Sequence, residues 1–346
     1  MKILAVGDSY MPPSYFADGF AGLEAGHEIE YFQVDAERPF APESDSERRL
    51  KEYQGSPAEL VERIPGFEVL AVQGAPVTDA VLEASKELKL VGCARGGPVN
   101  VDIAAATERG IPVVTSPGKN AEAVADQTLA FMVMLARGFP RAQGFLSEGG
   151  QLASNWEGAR FMGHDLGGHT LGLVGYGQVG QRVAERARAF GMRVLVYDPF
   201  VELETVVGVE QCGSLEQLLD EADFVSLHAR ATKENADLFD APTFAKMKPG
   251  SYFVNTARET LVDETALDEA LASGRLAGAA LDIVKAQESA GRHPLLRHEN
   301  VVLTPHIGGA THETLLHGAR MIADEIARFA AGEPLVNVAN RTAVRV

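Results

Sequence analysis

Short apolar runs alternate with amphipathic stretches along most of this chain. Ile3–Val6, Glu68–Val72, Leu88–Gly92 and Ile111–Val114 read as strands, and Thr78–Lys86 and Val101–Arg109 as helices between them. This β-α-β-α rhythm predicts a parallel sheet with helices on both faces. Asp35–Gly55 breaks the rhythm with Pro39, Pro42 and the charge run Ser44–Lys51, and reads as a surface loop plus a solvated helix. Asn120–Arg137 reads as one long helix, with Asn120 as its cap and apolar faces from Val124, Leu129, Phe131, Met132 and Leu135. Gly138–Gly168 is irregular and holds Trp156. The rhythm then restarts with strand Thr170–Val174, helix Val179–Phe190 and strand Arg193–Tyr197. Strands at Phe224–Leu227, Tyr252–Asn255, Ala279–Leu281 and Val301–Leu303 follow. A second doubly wound unit is therefore expected from residue 119 to residue 308. The last helix, Thr311–Ala330, falls outside it and is expected to return to the first unit.

Composition narrows the class. A chain of 346 residues fits two domains. Hydrophobic residues at 46% and charged residues at 23% exclude a disordered chain. Lys+Arg 31 against Asp+Glu 48 leaves a net charge of −17, which repels phosphate backbones and argues against a generic nucleic-acid binder. Cys93 and Cys212 lie far apart, so neither a disulfide scaffold nor a metal site is expected, and a reducing compartment fits. The opening Met1–Gly7 is too short an apolar run for a signal peptide, and no stretch is long enough to span a membrane. The expected location is cytoplasmic.

Gly175-Tyr176-Gly177-Gln178-Val179-Gly180 follows one predicted strand and opens a predicted helix. In a dinucleotide fingerprint the first glycine permits the turn, the second lets backbone approach a pyrophosphate, and the third allows close helix packing. The phosphate then sits on the positive helix end. Asp198 closes the next strand, where a carboxylate accepts ribose hydroxyls and repels a 2′-phosphate. That favours NAD over NADP.

Three later segments each place a polar residue just past an apolar strand. They are Phe253–Arg258, Ala279–Asp282 and Leu303–Thr311. Alone, Arg258 reads as readily as a surface ion pair, His306 as a loop histidine and Asp282 as a turn cap. Beside a dinucleotide loop they suggest hydride transfer. A cation is needed to hold a carboxylate, and arginine does so through its bidentate fork. A titratable group must move one proton, and histidine titrates near working pH.

With Ser116-Pro117-Gly118-Lys119-Asn120, Met247-Lys248-Pro249-Gly250 and His293-Pro294-Leu295-Leu296 added in order, the chain resembles the D-isomer-specific 2-hydroxyacid dehydrogenases, the family that includes D-3-phosphoglycerate dehydrogenase. The resemblance covers nearly the whole chain and is strongest over residues 88–310. It implies a Rossmann NAD domain (119–308) inserted in a discontinuous flavodoxin-like substrate domain (1–118 and 309–346), with the active site in the cleft between them. It implies that Arg258 binds the substrate carboxylate, that His306 exchanges a proton with the carbonyl oxygen, and that Asp282 orients the nicotinamide carboxamide. Gln178 and Val179 would approach the pyrophosphate, and Thr256 would line the nicotinamide pocket. The Arg95-Gly96-Gly97 loop matches the segment whose amides receive the substrate carboxylate. Arg95 either serves a second anionic group or forms a salt bridge at the domain rim. The helix after Asn120 and the Trp156 segment resemble the family's dimer contacts, so a homodimer is expected.

Three positions depart from the pattern. The family's glutamate partner of the histidine is replaced by Gln287, with Glu288 next to it. An amide can bond the ring but carries no charge, so His306 is expected to titrate lower than in a glutamate-bearing relative. Glu259 replaces a glycine, and is strained if the backbone there needs positive φ, or else sits near Arg258. Arg230 stands where proline is common. The expected activity is interconversion of a small anionic D-2-hydroxy acid and its 2-oxo acid, a phosphoglycerate or sugar-derived acid rather than lactate. Rival readings are an NAD(H)-sensing binding protein with little turnover, and a formate- or phosphite-like oxidation.

Overall fold

Two separate parallel sheets carry the chain. The computed structural model describes residues 1–35, 37, 40, 42–202, 208–285 and 291–343. It divides into one compact unit from Met1–Lys119 with Ala310–Val346 and another from Asn120–Gly309.

The first unit holds β1 (Lys2–Gly7), β2 (Glu28–Gln33), β3 (Val69–Val72), β4 (Leu90–Cys93) and β5 (Val113–Thr115). Their order, β2-β1-β3-β4-β5, is the flavodoxin-like one. Strand residues alternate between two cores because successive side chains point to opposite faces. Leu4, Val6, Leu70, Val72, Val91 and Val113 enter one core. Ile3, Ala5, Val69, Ala71, Leu90 and Val114 enter the other, which Phe16, Phe20, Leu315, Ala319 and Ile322 complete. Those last residues belong to the helices Pro13–Phe20 and His312–Ala331. The final helix thus packs on the first sheet. It lies so close that a Cβ on Gly92 would stand 2.5 Å from Ile322 Cγ2.

The segment expected to be a solvated helix is one, with a single buried charge. Its helix is a single turn, Asp45–Arg48, and Glu47 is buried. The Glu47 carboxylate accepts the Tyr53 hydroxyl at 2.7 Å, while Leu50 and Tyr53 are buried beside it. Glu47 therefore anchors the loop, while Asp45, Arg48, Arg49 and Lys51 face solvent as expected.

The second unit holds β6 (Thr170–Val174), β7 (Arg193–Tyr197), β8 (Glu210–Gln211), β9 (Phe224–Leu227), β10 (Ser251–Asn255), β11 (Leu276–Leu281) and β12 (Val301–Leu303). The order β8-β7-β6-β9-β10-β11-β12 is the doubly wound dinucleotide order extended by one strand, and its direction reverses between β6 and β9. Leu195, Val225, Leu227, Phe253, Ala279 and Leu281 line one core. Leu171, Leu173, Val194, Val196, Val254 and Ala280 line the other, where Leu129, Met132 and Leu135 of the helix Ala121–Ala136 pack on them. Asn120 precedes this helix without a side-chain capping bond. It lies close against Gly309, where a Cβ would come within 2.8 Å of its Nδ2. Both cysteines are buried thiols. Among the described residues no helix is long and apolar enough to cross a membrane.

Candidate active site

The strands of the second sheet finish level at their carboxyl ends. Val174 is in register with Tyr197 and Leu227, Leu227 with Asn255, Asn255 with Leu281, and Leu281 with Leu303. The residues that follow, among them Gly175, Asp198, Thr256, Asp282 and Thr304, therefore emerge along one edge. This is the edge where open α/β sheets bind ligands.

The glycine loop has the shape of an anion cradle. Gly175 has φ +99°, and a Cβ there would lie 2.7 Å from Ala229 N. A Cβ on Gly180 would lie 2.4 Å from Gly175 O, so helix and turn touch backbone to backbone. Gly177 differs, since a Cβ there meets nothing within 4 Å. It precedes the helix Gln178–Ala189 with no side-chain cap, which leaves the first-turn N–H groups to an anion. Gln178 faces solvent at this end. Arg182 Nη1 donates to both its carbonyl O and its Oε1 at 2.9 Å. Val179 is half-buried beside it. Asp198 braces the loop, its Oδ2 accepting Tyr176 N–H at 2.8 Å and its Oδ1 accepting Phe200 N–H at 2.9 Å. A carboxylate has about four acceptor positions, so two remain for ribose hydroxyls. Beneath the loop, His228 is half-buried with its Nε2 2.8 Å from Ser226 Oγ. Burial pushes its imidazole down to about 3, so it is neutral at working pH. The residues present fit a dinucleotide.

Farther along the edge, Asn255 shapes the turn that presents Arg258. Its Oδ1 accepts Ala257 N–H at 2.9 Å and its Nδ2 donates to Arg258 O at 3.1 Å. Arg258 is exposed, with Nη1 donating to Ala257 O at 2.6 Å. It has no ion-pair partner among the described residues, which suits a carboxylate receptor. Glu259 opens the short turn Glu259–Leu261. The only described non-glycine residues of positive φ are Asp237 and His306, so Glu259 is unstrained. Thr256 is buried, with Oγ1 3.1 Å from Thr128 Oγ1. Thr128 gives its own proton to Val124 O at 2.8 Å, so Thr256 donates and keeps its lone pairs.

His306 is exposed and has φ +56°. The cause is Asp282, which the loop wraps. His306 N–H donates to Asp282 O at 2.8 Å, Ile307 N–H to Oδ1 at 2.9 Å and Gly308 N–H to Oδ2 at 2.8 Å. Successive N–H groups around a left-handed residue form a concavity for an anion, filled here by the buried carboxylate. A Cβ on Gly308 would stand 2.8 Å from Asp282 Oδ2, so only glycine lets the loop close this far. Gln287 and its neighbour Glu288 lie outside the described residues.

Arg95, Gly96 and Gly97 belong to the first unit, beyond the end of β4. The structure therefore does not place them in the same unit as Arg258 and His306. Gly96 and Gly97 are exposed, and their N–H groups have no acceptor among the described residues. Arg95 donates to Glu52 at 2.9 Å, so the salt bridge weighed in the sequence is present. Two neighbours had no role assigned in sequence, although Lys119 lies in a segment that carries the resemblance. Lys119 Nζ donates to Ala94 O at 2.6 Å, and burial pushes its ammonium down to about 8. Asp8 accepts N–H groups from Tyr10, Met11 and Gly74, yet burial raises its carboxyl.

Comparison with known proteins follows the same lines. Residues 129–308 match the NAD-binding domain of the D-isomer specific 2-hydroxyacid dehydrogenases. The chain is 41% identical to D-3-phosphoglycerate dehydrogenase of Archaeoglobus fulgidus, over 82% of this chain and 53% of that protein. It is 36% identical to glyoxylate reductase of Korarchaeum cryptofilum, over 92% of each. The solved TT0316 protein of Thermus thermophilus superposes with a TM-score of 0.76 at 35% identity, covering 98% of this chain and 100% of that one. The chain spans about half the length of the D-3-phosphoglycerate dehydrogenases it matches.

Proposed function

The chain belongs to the D-isomer-specific 2-hydroxyacid dehydrogenase family, and within it we propose an NAD-dependent oxidoreductase that interconverts a small D-2-hydroxy acid and its 2-oxo acid. One observation carries the reading. A single sheet edge presents the glycine loop, Asp198, Thr256, Arg258, Asp282 and the His306 loop together.

The nicotinamide, when bound, donates hydride to C2 of the 2-oxo acid or takes it back from the 2-hydroxy acid. The chain's own residues do the rest. Gly177 and the uncapped helix start receive the pyrophosphate, with Gln178 and Val179 at that end, and Asp198 receives the ribose. The Arg258 guanidinium holds the substrate carboxylate and polarises the neighbouring carbonyl. The His306 imidazolium gives its proton to the carbonyl oxygen as hydride arrives, so oxygen gains the proton and carbon the hydride. In oxidation the neutral imidazole takes that proton back, with Gln287 as its proposed partner. Thr256 and Asp282 border the nicotinamide.

We assign 1–118 with 309–346 to substrate binding and 119–308 to the cofactor. On the first unit, Gly96 and Gly97 offer open amides to an anion. The Arg95–Glu52 pair lies toward solvent, and such pairs contribute only about 0–1 kcal/mol, so a second anionic group on the substrate can displace Glu52. That favours a phosphorylated or sugar-derived acid over lactate, in keeping with the relatives named D-3-phosphoglycerate dehydrogenase. Within the Asn120–Gly309 unit, Phe139, Leu146, Trp156 and Met162 are all exposed, Trp156 by 88%. Apolar exposure this concentrated marks an interface, and supports a homodimer.

The test follows NADH absorbance with purified protein and a panel of 2-oxo acids that includes phosphohydroxypyruvate, glyoxylate and four-carbon sugar-derived acids. Turnover of one member is expected. Tight NADH binding with no turnover of any member would replace this reading with the sensor.

A further inference from the structure

We propose that Gln127 is a positioning residue for this reaction, fixing the His306 loop through Asp282. The proposal rests on the function proposed above for Asp282 and His306, but its evidence is separate.

Gln127 lies in the middle of the helix Ala121–Ala136, an element that contributes mainly apolar side chains to the core. Its Nε2 donates to Asp282 Oδ1 at 3.0 Å and to Thr304 Oγ1 at 2.9 Å. The Thr304 hydroxyl in turn donates to Asp282 Oδ1 at 2.6 Å. Every polar hydrogen of this triangle therefore ends on one carboxylate, either directly or through Thr304. The amide orientation is forced, because an ionised carboxylate only accepts and must face the NH2 side. With the N–H groups of Ile307 and Gly308, three donors meet Oδ1 and one meets Oδ2. These four donors fill the about four acceptor positions of a carboxylate, so it has little freedom to rotate.

The consequence reaches His306. Its left-handed backbone is held by wrapping the Asp282 carboxylate and carbonyl, and that carboxylate is held by Gln127 and Thr304. Gln127 also bounds the loop directly, since its Oε1 would stand 3.3 Å from a Cβ on Gly308. Loss of the amide donor frees the carboxylate to turn and lets the 306–308 backbone follow. Arg258, the glycine loop and Asp198 share no hydrogen bond with Gln127 among the described residues.

Two variants test this. Gln127→Met keeps the volume and removes the donor. Gln127→Glu keeps the shape and sets a second carboxylate against Asp282, so the pair must share a proton or repel. For Gln127→Met, kcat should fall about tenfold or more, as misplaced catalytic groups require. NADH affinity and the KM for the 2-oxo acid should stay within about threefold, since this loss acts on positioning and not on binding. For Gln127→Glu, activity should approach the wild-type level at low pH and fall as pH rises, through an ionisation absent from the wild-type profile. A second readout needs no turnover. The His306 imidazole resonances, identified by their loss in His306→Gln, should move in both variants while the other histidine resonances stay in place. Wild-type kcat and pH profile with unmoved His306 resonances would overturn the proposal. An inactive wild type whose His306 resonances still respond would instead overturn the dehydrogenase reading alone.

Discussion

Alanine at Gly177 and alanine at Gly180 should have opposite consequences, although the two positions are three residues apart. At Gly180 the added methyl would stand 2.4 Å from Gly175 O, which is backbone and cannot rotate away. Overpacking of this kind costs about 1–3 kcal/mol, and a rigid carbonyl argues for the upper part of that range. For a unit of this size each kcal/mol lowers the melting temperature by roughly 2–4 °C, so Gly180→Ala should melt roughly 4–12 °C below wild type. At Gly177 the methyl meets nothing within 4 Å and the residue is exposed, so stability should change by no more than about 0.5 kcal/mol. The same empty space is where a pyrophosphate must lie. Gly177→Ala should therefore weaken NADH binding by at least about tenfold, or about 1.4 kcal/mol. Calorimetric melting and NADH fluorescence titration on both variants provide the assay. Native NADH affinity in Gly177→Ala would refute the placement of the dinucleotide. A wild-type melting temperature in Gly180→Ala would refute the packing argument.

Three other predictions follow from the same geometry. Arg258→Lys keeps the charge but loses the fork, so kcat/KM for the 2-oxo acid should fall by about tenfold or more, with NADH affinity unchanged in titration. His228 is neutral in the fold down to about pH 3, whereas an unfolded histidine protonates near pH 6.5. The unfolded state binds more protons between those values, so stability is full above about pH 6.5 and is lost as pH falls. Between pH 7 and pH 5 the loss should be about 2 kcal/mol in urea unfolding, and should vanish in His228→Gln. Gln287→Glu places a negative charge where the His306 partner is proposed, which favours imidazolium. The acid limb of the oxidation profile should then move to higher pH, and an unmoved limb would remove residue 287 from the site.

Much of the fold is legible in the chain because burial on both faces leaves uninterrupted apolar runs. Thr170–Val174, Arg193–Tyr197, Phe224–Leu227 and Val301–Leu303 stand out in sequence with the bounds they have in the sheet. β2 does not stand out. Glu28-Ile29-Glu30-Tyr31-Phe32-Gln33 is an edge strand, nowhere fully buried, and its glutamates break the apolar pattern. β8 has two exposed residues and leaves no pattern at all. β11 starts at Leu276 rather than Ala279 because Gly278 hides its first turn of alternation. At the candidate site, Arg258, Asp282 and His306 are visible as polar residues just past apolar strands. Gln127 is not, because it is 155 residues from Asp282 and only the packing of a helix on the sheet joins them. Nothing in sequence sets it apart from Glu122, Asp126 and Thr128, the other polar residues of the same helix. Asn120 reads as a cap by residue type, yet its side chain makes no capping bond and lies close against Gly309.

The central claim is direct hydride transfer that creates a D-configured carbon. The most direct measurement supplies NADH deuterated at the transferable position together with an accepted 2-oxo acid, then determines where deuterium lies and the configuration it creates. The account predicts deuterium on C2 of a D-2-hydroxy acid and unlabelled solvent hydrogen on its hydroxyl. An L product, or a reduced acid without deuterium at C2, would contradict it.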